Sequence, residues 1–394
     1  MAGPGVIFDS KTPISRKGIE PTQVKSIKLI SDLDDGAAND GNGTIVEKNG
    51  LLFGETYTFK VESYTNGDPK DVNLIKWAVS YTDKETGKFY KNVLKDTFTG
   101  DEISITFNDS NGCGNDLNII AYINDADNEG KLTQFKHNRF RFFDRIKLLN
   151  ELEARKREPW RINQDDTNTC GPSAIMYSFA KKDKESYATF ISDLHRKGNT
   201  QFNNYKIDIS SDGDLKDIAD TNPKTKENFP TTMASCDWIP NTCITDDENV
   251  FFDFEGNTKE EASAMTVPSR MKMLSEKLLG FTDVTDNTNL YFRKTGWIWG
   301  STIEDIVELM NAKEEGYEVF LLVNMGLFND KISGDFAFPQ HWIVLENISH
   351  AQTDSGYIDI TIYTWGRNPK TKYSYNKIRY EVFRTNYFGY VKAK

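Results

Sequence analysis

Hydrophobic and polar residues alternate through the first third of the chain. Tyr57, Phe59 and Val61 stand two apart, as do Trp77, Val79 and Tyr81, and again Ile103, Ile105 and Phe107. Ile120 and Tyr122 belong to a further run, and residues 135–143 to a last one. A period of two puts successive side chains on opposite faces of a strand, so each run predicts one. Between them, clusters at 66–69, 83–87, 108–115 and 125–130 supply the Asp, Asn and Gly that tight turns require. Residues 1–20 have no period and read as an N-terminal arm. About seven short strands at this spacing predict an antiparallel β-sandwich over residues 21–143.

The period then changes to that of a helix. Ile146, Leu148, Leu149 and Leu152 form a stripe with charge elsewhere, and Pro159 ends it. This helix reads as a linker over residues 144–160. Beyond it, in residues 161–394, helices and strands alternate. Cys170 opens a helix with Pro172 in its first turn. Residues 267–279 form another, ended by Gly280, and Ser301-Thr-Ile-Glu304 is a capping box for a third that Gly316 closes. Residues 319–323, 342–345 and 357–365 read as strands, with a final pair at 378–383 and 387–391. The predicted fold is thus two domains, an all-β sandwich of immunoglobulin-like type followed by an α+β domain.

Composition narrows the class. Hydrophobic residues make up 38% and charged residues 27%, as in a globular protein with material for cores. No apolar run approaches the roughly 18–20 residues that cross a bilayer, so no membrane span is expected. The N-terminus lacks the basic start and apolar stretch of a signal peptide; synthesis in the cytoplasm, with any export independent of a cleaved signal, is the expectation. The net charge of −11 repels a phosphate backbone, so no nucleic-acid partner is expected. Cys236 and Cys243 read as two unpaired thiols in a loop, with pairing in an oxidising compartment as the alternative. Asp32 to Gly43 lacks the spacing of a calcium loop and reads as a solvated turn. No cofactor and no metal is expected.

The candidate chemistry is that of a thiol. A cysteine reacts as the thiolate, whose formation a helix N-terminus and a neighbouring histidine favour. Cys170 is placed at such a terminus, between the small residues Thr169 and Gly171. Gln164, six residues earlier, brings an amide that can join the Cys170 backbone N–H in holding an oxyanion. Of the four histidines, His341 alone opens a strand, Trp342-Ile-Val-Leu345. His137 falls in the first domain, His195 in a charged helical stretch and His350 in a polar loop. His341 is therefore the expected general base.

Gln164, Cys170-Gly-Pro-Ser-Ala with its helix, and His341-Trp-Ile-Val-Leu together resemble papain-like cysteine peptidases. They are most similar to the domains that trim double-glycine leaders from bacteriocins. The helix after Ser301, Gly316 and the 319–323 strand occur there in the same order, and Tyr363-Thr-Trp365-Gly366 is similar to the Asn-Ser-Trp-Gly of papain. The resemblance covers residues 160–394. It implies Cys170, His341 and Gln164 as catalytic residues, with Tyr363 where the family carries the Asn or Asp that orients the base, and Thr364 next. A hydroxyl orienting His341, a bare dyad and an inactive site all stay open.

Residues 51–61, 75–79 and 116–122 resemble a sandwich module that precedes toxin domains in Bacteroidota-type bacteria linked to type VI secretion. That resemblance implies an antibacterial effector delivered into a rival cell, with a secretion-apparatus component engaging the N-terminal domain and a cognate immunity protein in the producer. The expected activity is hydrolysis of peptide bonds in a protein or peptide substrate. Alternatives are a peptidoglycan amidase, a protein deamidase or transglutaminase on the same Cys/His pair, and an inactive binding protein. Trp297, Trp299 and Trp365 are further candidates to line a cleft.

Overall fold

The computed structural model describes residues 21–42, 47–108, 111–165, 167–209, 215, 218, 233–248, 266–289, 302–333, 338–350, 356–366 and 374–394. The expected arm, Ser301 of the capping box, Trp297 and Trp299 lie outside these residues. The chain is a mixed α and β protein with several antiparallel sheets. It divides into two compact units: Met1–Asp32, Thr56–Ile105 and Leu117–Gln134 form the first, and Leu33–Glu55, Thr106–Asp116 and Phe135–Lys394 the second.

The first unit carries the alternating runs. Strands β1 (Val24–Leu29), β2 (Thr56–Tyr64) and β5 (Glu102–Thr106) form one sheet in the order β1-β2-β5. Strands β3 (Lys76–Thr82), β4 (Phe89–Tyr90), β6 (Asp116–Tyr122) and β7 (Gly130–Phe135) form a second, in the order β4-β3-β6-β7. Tyr57, Phe59 and Val61, then Ile103 and Ile105, are the buried positions of their strands, as the period of two requires. β3 departs from alternation: every residue from Trp77 to Tyr81 is buried, so both faces of this strand are covered.

The last expected strand, 135–143, is a correction. β7 ends at Phe135, and the charged residues beyond it belong to the second unit. Lys136, His137, Arg139 and Arg141 are all buried there. The physical reason is a helix end. The last carbonyls of α3 (Lys184–Lys197) have no partner within the helix. Phe140 N–H donates to His195 O at 3.1 Å and Arg139 N–H to Arg196 O at 3.0 Å, so the segment completes that terminus. Residues 33–55 join it: His137 stands against Gly36 and Gly50, where a Cβ would come within 2.7 and 3.0 Å of its ring. The single boundary expected near residue 143 is replaced by an interleaved one.

Helix α1 (Arg145–Arg157), expected as a linker, buries Leu148 and Leu152 in the core of the second unit. Asp144 caps it, accepting from the Ile146 and Lys147 N–H groups. The same core takes α2 (Cys170–Lys182), α3, α4 (Ser235–Glu248) and α5 (Pro268–Lys277). α2 is buried on all sides from Cys170 to Ala180. Cys236 and Cys243 lie in α4 and are buried, where the sequence reading has a loop. A small hairpin, β8 (Asn199–Phe202) with β9 (Tyr205–Asp208), follows α3.

A six-stranded antiparallel sheet completes the unit, with β10 (Val284–Thr288), β11 (Glu318–Val323), β12 (His341–His350), β13 (Tyr357–Tyr363), β14 (Ser374–Arg379) and β15 (Tyr387–Ala393) in the order β10-β15-β11-β12-β13-β14. Residues 380–383, expected within a strand, begin helix α7 (Tyr380–Asn386) instead. Both faces are covered. Phe320, Leu322, Trp342, Val344 and Tyr363 pack with the core of α1 to α5. Leu321, Val323, Ile343, Leu345 and Ile362 pack with Ile306 and Leu309 of α6 (Thr302–Glu314) and with Val382 and Phe383 of α7. β11 and β12 therefore alternate between two cores. None of the described helices is long and apolar enough to cross a membrane.

Candidate active site

Cys170 is the first residue of α2, as its sequence context predicts. Thr169 precedes it as N-cap residue without a side-chain capping bond; its hydroxyl lies 2.7 Å from Thr167 Oγ1 instead. The Thr169 side chain therefore does not cap the first turn, and the helix dipole's positive end lies at the thiol. α2 lies against β12, and the Trp342 backbone N–H faces the Cys170 sulfur, together with the N–H groups of Gly171 and of Cys170 itself. These N–H groups favour the thiolate, yet burial outweighs them and pushes the thiol up to about 11. The expected lowering of its pKa is thus reversed in this state, because Cys170 is only 3% exposed.

His341 opens β12 opposite Val323, at the end of the paired region with β11. Its Nε2 lies 2.6 Å from Thr364 Oγ1. The Trp365 ring stacks on the imidazole, with centroids 4.7 Å apart and planes at 13°, and Phe328 meets it edge-on at 6.0 Å. Trp365 reaches this place through a left-handed backbone, φ 47°, which a bulky residue rarely adopts. With no carboxylate beside it among the described residues, burial holds the imidazole down to about 3. His341 and Cys170 are thus both neutral at pH 7. No direct hydrogen bond joins them in this state, and the link between them runs through Trp342, the residue after the histidine.

The structure separates Tyr363 from this group. Its hydroxyl donates to Ile162 O at 2.5 Å, and its ring stacks on Tyr177 of α2 at 3.7 Å. Strand alternation explains the swap. Tyr363 shares the helix-covered face with Trp342 and Val344, so the next residue, Thr364, turns the other way, toward the imidazole. Thr364, and not Tyr363, is thus the hydroxyl that meets the imidazole. That parity is the sequence signal for it, since His341 and Ile343 are two apart. Phe328 carries no comparable signal.

Gln164 is buried in the loop that leads into α2, and its Nε2 donates to Thr167 O at 2.8 Å. Its other amide hydrogen and the α2 N–H groups are the donors available to an oxyanion. Gly171 packs closely beneath Thr266, whose Cβ an added methyl would meet at 2.4 Å, and the Trp342 indole donates to Thr266 O at 2.8 Å. Among the described residues no group of three or more His, Cys, Asp or Glu is disposed to hold a metal. No protein-family model and no curated protein matches the chain.

Proposed function

We propose that the second unit is a papain-like cysteine peptidase domain that hydrolyses peptide bonds, carried behind an immunoglobulin-like module in an antibacterial effector. The observation that carries this reading is that one strand, β12, serves both groups: its Trp342 N–H faces the thiol that opens a buried helix, and the imidazole of His341, the residue before it, rests on a hydroxyl. With Nε2 engaged by Thr364, Nδ1 is the nitrogen left to take the thiol proton. Sγ then bonds to the substrate carbonyl carbon, and the oxygen's charge is met by Gln164 and by backbone N–H groups. The imidazolium returns its proton to the leaving amine as the C–N bond breaks. Water, deprotonated by the same imidazole, cleaves the thioester.

Delivery into a rival cell, a secretion-apparatus contact and an immunity partner rest on the resemblance of the N-terminal strands to modules that precede toxins. A second reading, an inactive binding protein, is favoured by the buried thiol and by the missing direct Cys170 to His341 hydrogen bond. Expression of wild type, Cys170→Ala and His341→Ala in a sensitive bacterium separates the two. Growth inhibition by wild type, lost in both variants, is the expected result. Equal inhibition by all three sinks the catalytic reading.

A further inference from the structure

Two polar side chains of α4, Asp237 and Asn241, have no part in the chemistry above, yet both reach the segment that carries Gln164. They stand four residues apart and so lie on one face of the helix. Asp237 is buried against Arg155 of α1, whose Nη2 and Nε donate to its two oxygens at 2.6 and 3.2 Å. One of those oxygens also accepts the Asn163 backbone N–H at 3.2 Å. Asn241 Nδ2 donates to the Asn163 carbonyl at 3.4 Å and to Ser173 Oγ, in the first turn of α2, at 2.8 Å.

Both backbone groups of Asn163 are therefore held from α4, and the next residue is Gln164. The same residue is braced on the histidine's side. Gly366, which follows Trp365, lies so close that an added Cβ would stand 2.9 Å from Asn163 Cβ. The Oδ1 of Asn241 is buried and has no hydrogen-bond partner among the described residues. The unmet acceptor is the cost of holding the Asn163 carbonyl and Ser173 Oγ from one amide.

We propose that α4 sets the oxyanion site: Asp237 and Asn241 are positioning residues that hold the peptide between Asn163 and Gln164 against the first turn of the nucleophile helix. This rests on the reading of Cys170 as nucleophile and Gln164 as oxyanion donor. A donor fixed in advance costs no reorganisation as charge develops, and a misplacement of about 1 Å costs on the order of a hundredfold in rate.

Two small probes separate this role from a merely structural one. Iodoacetamide alkylates the sulfur by displacing iodide and forms no oxyanion. p-Nitrophenyl acetate acylates it through a tetrahedral oxyanion: the S–C bond forms, the bond between the carbonyl carbon and the phenolic oxygen breaks and p-nitrophenolate leaves. In the full chain, Asn241→Leu and Asp237→Asn are each expected to slow Cys170-dependent acylation by at least about tenfold, with alkylation changed less than about twofold. Asp237→Asn keeps an acceptor toward Asn163 and supplies the test should Asn241→Leu fail to fold. Gln164→Ala with Asn241→Leu should be no slower than Gln164→Ala alone, since the position of a missing donor is immaterial. Additive losses, or equal losses with both probes, overturn the positioning role. Equal acylation of wild type and Cys170→Ala overturns the nucleophile reading itself, which is a different result.

Discussion

A buried histidine with one nitrogen on a hydroxyl sets the residue-scale expectations. Thr364→Val leaves that nitrogen without its partner, so Cys170-dependent acylation should fall by at least about tenfold, while Thr364→Ser restores most of it. Tyr363→Phe removes only the bond to Ile162 O. It should cost about 1 kcal/mol in a denaturant melt, with acylation little changed. A large loss from Tyr363→Phe beside an active Thr364→Val would return the orienting role to Tyr363. The thiol supplies a second test. Since burial pushes it up to about 11, the rate of Cys170 alkylation should climb about tenfold per pH unit from pH 7 to 10, as the thiolate fraction does. A plateau below pH 8 would instead mean a thiolate held by an imidazolium.

Helix α1 is the element whose role changed most between sequence and structure. Its stripe of Ile146, Leu148, Leu149 and Leu152 is legible as amphipathic, but the pattern does not say what covers the stripe. Leu148 and Leu152 prove to be core residues, and Arg155 on the same helix holds Asp237. Leu148→Ala should therefore cost about 2–5 kcal/mol of unfolding free energy, the range for a buried leucine. A helix serving only as a linker would lose well under 1 kcal/mol, within the range of surface substitutions. Helix α4 shows the same limit. Cys236 and Cys243 read as thiols of a loop in the sequence, and only the packing of their segment in the core makes it a helix.

At the scale of the whole molecule, the second unit draws on three separate stretches of chain. A fragment of residues 144–394 lacks the 135–143 segment that satisfies the α3 carbonyls, and it also lacks residues 33–55 around His137. Such a fragment should unfold at lower temperature than the full chain, or fail to fold, when followed by circular dichroism. A fragment as stable as the full chain would mean that the early segments add nothing to that core. The sequence pattern hides this interleaving because charged residues such as Lys136, Arg139 and Arg141 read as surface positions. Their burial depends on backbone partners far away in the chain.

The amino-acid sequence alone determined the strand periods of the first unit, the thiol at the start of α2 and the histidine at the start of β12. These are local matters, settled by spacing, capping and turn residues within a few positions. Tertiary structure decided the rest. Register and alternation across β12 and β13 turned Thr364, and not Tyr363, toward the imidazole. Desolvation by distant residues reversed the proton affinity expected of Cys170. Burial and pairing are sums over residues remote in sequence, and no local pattern contains them.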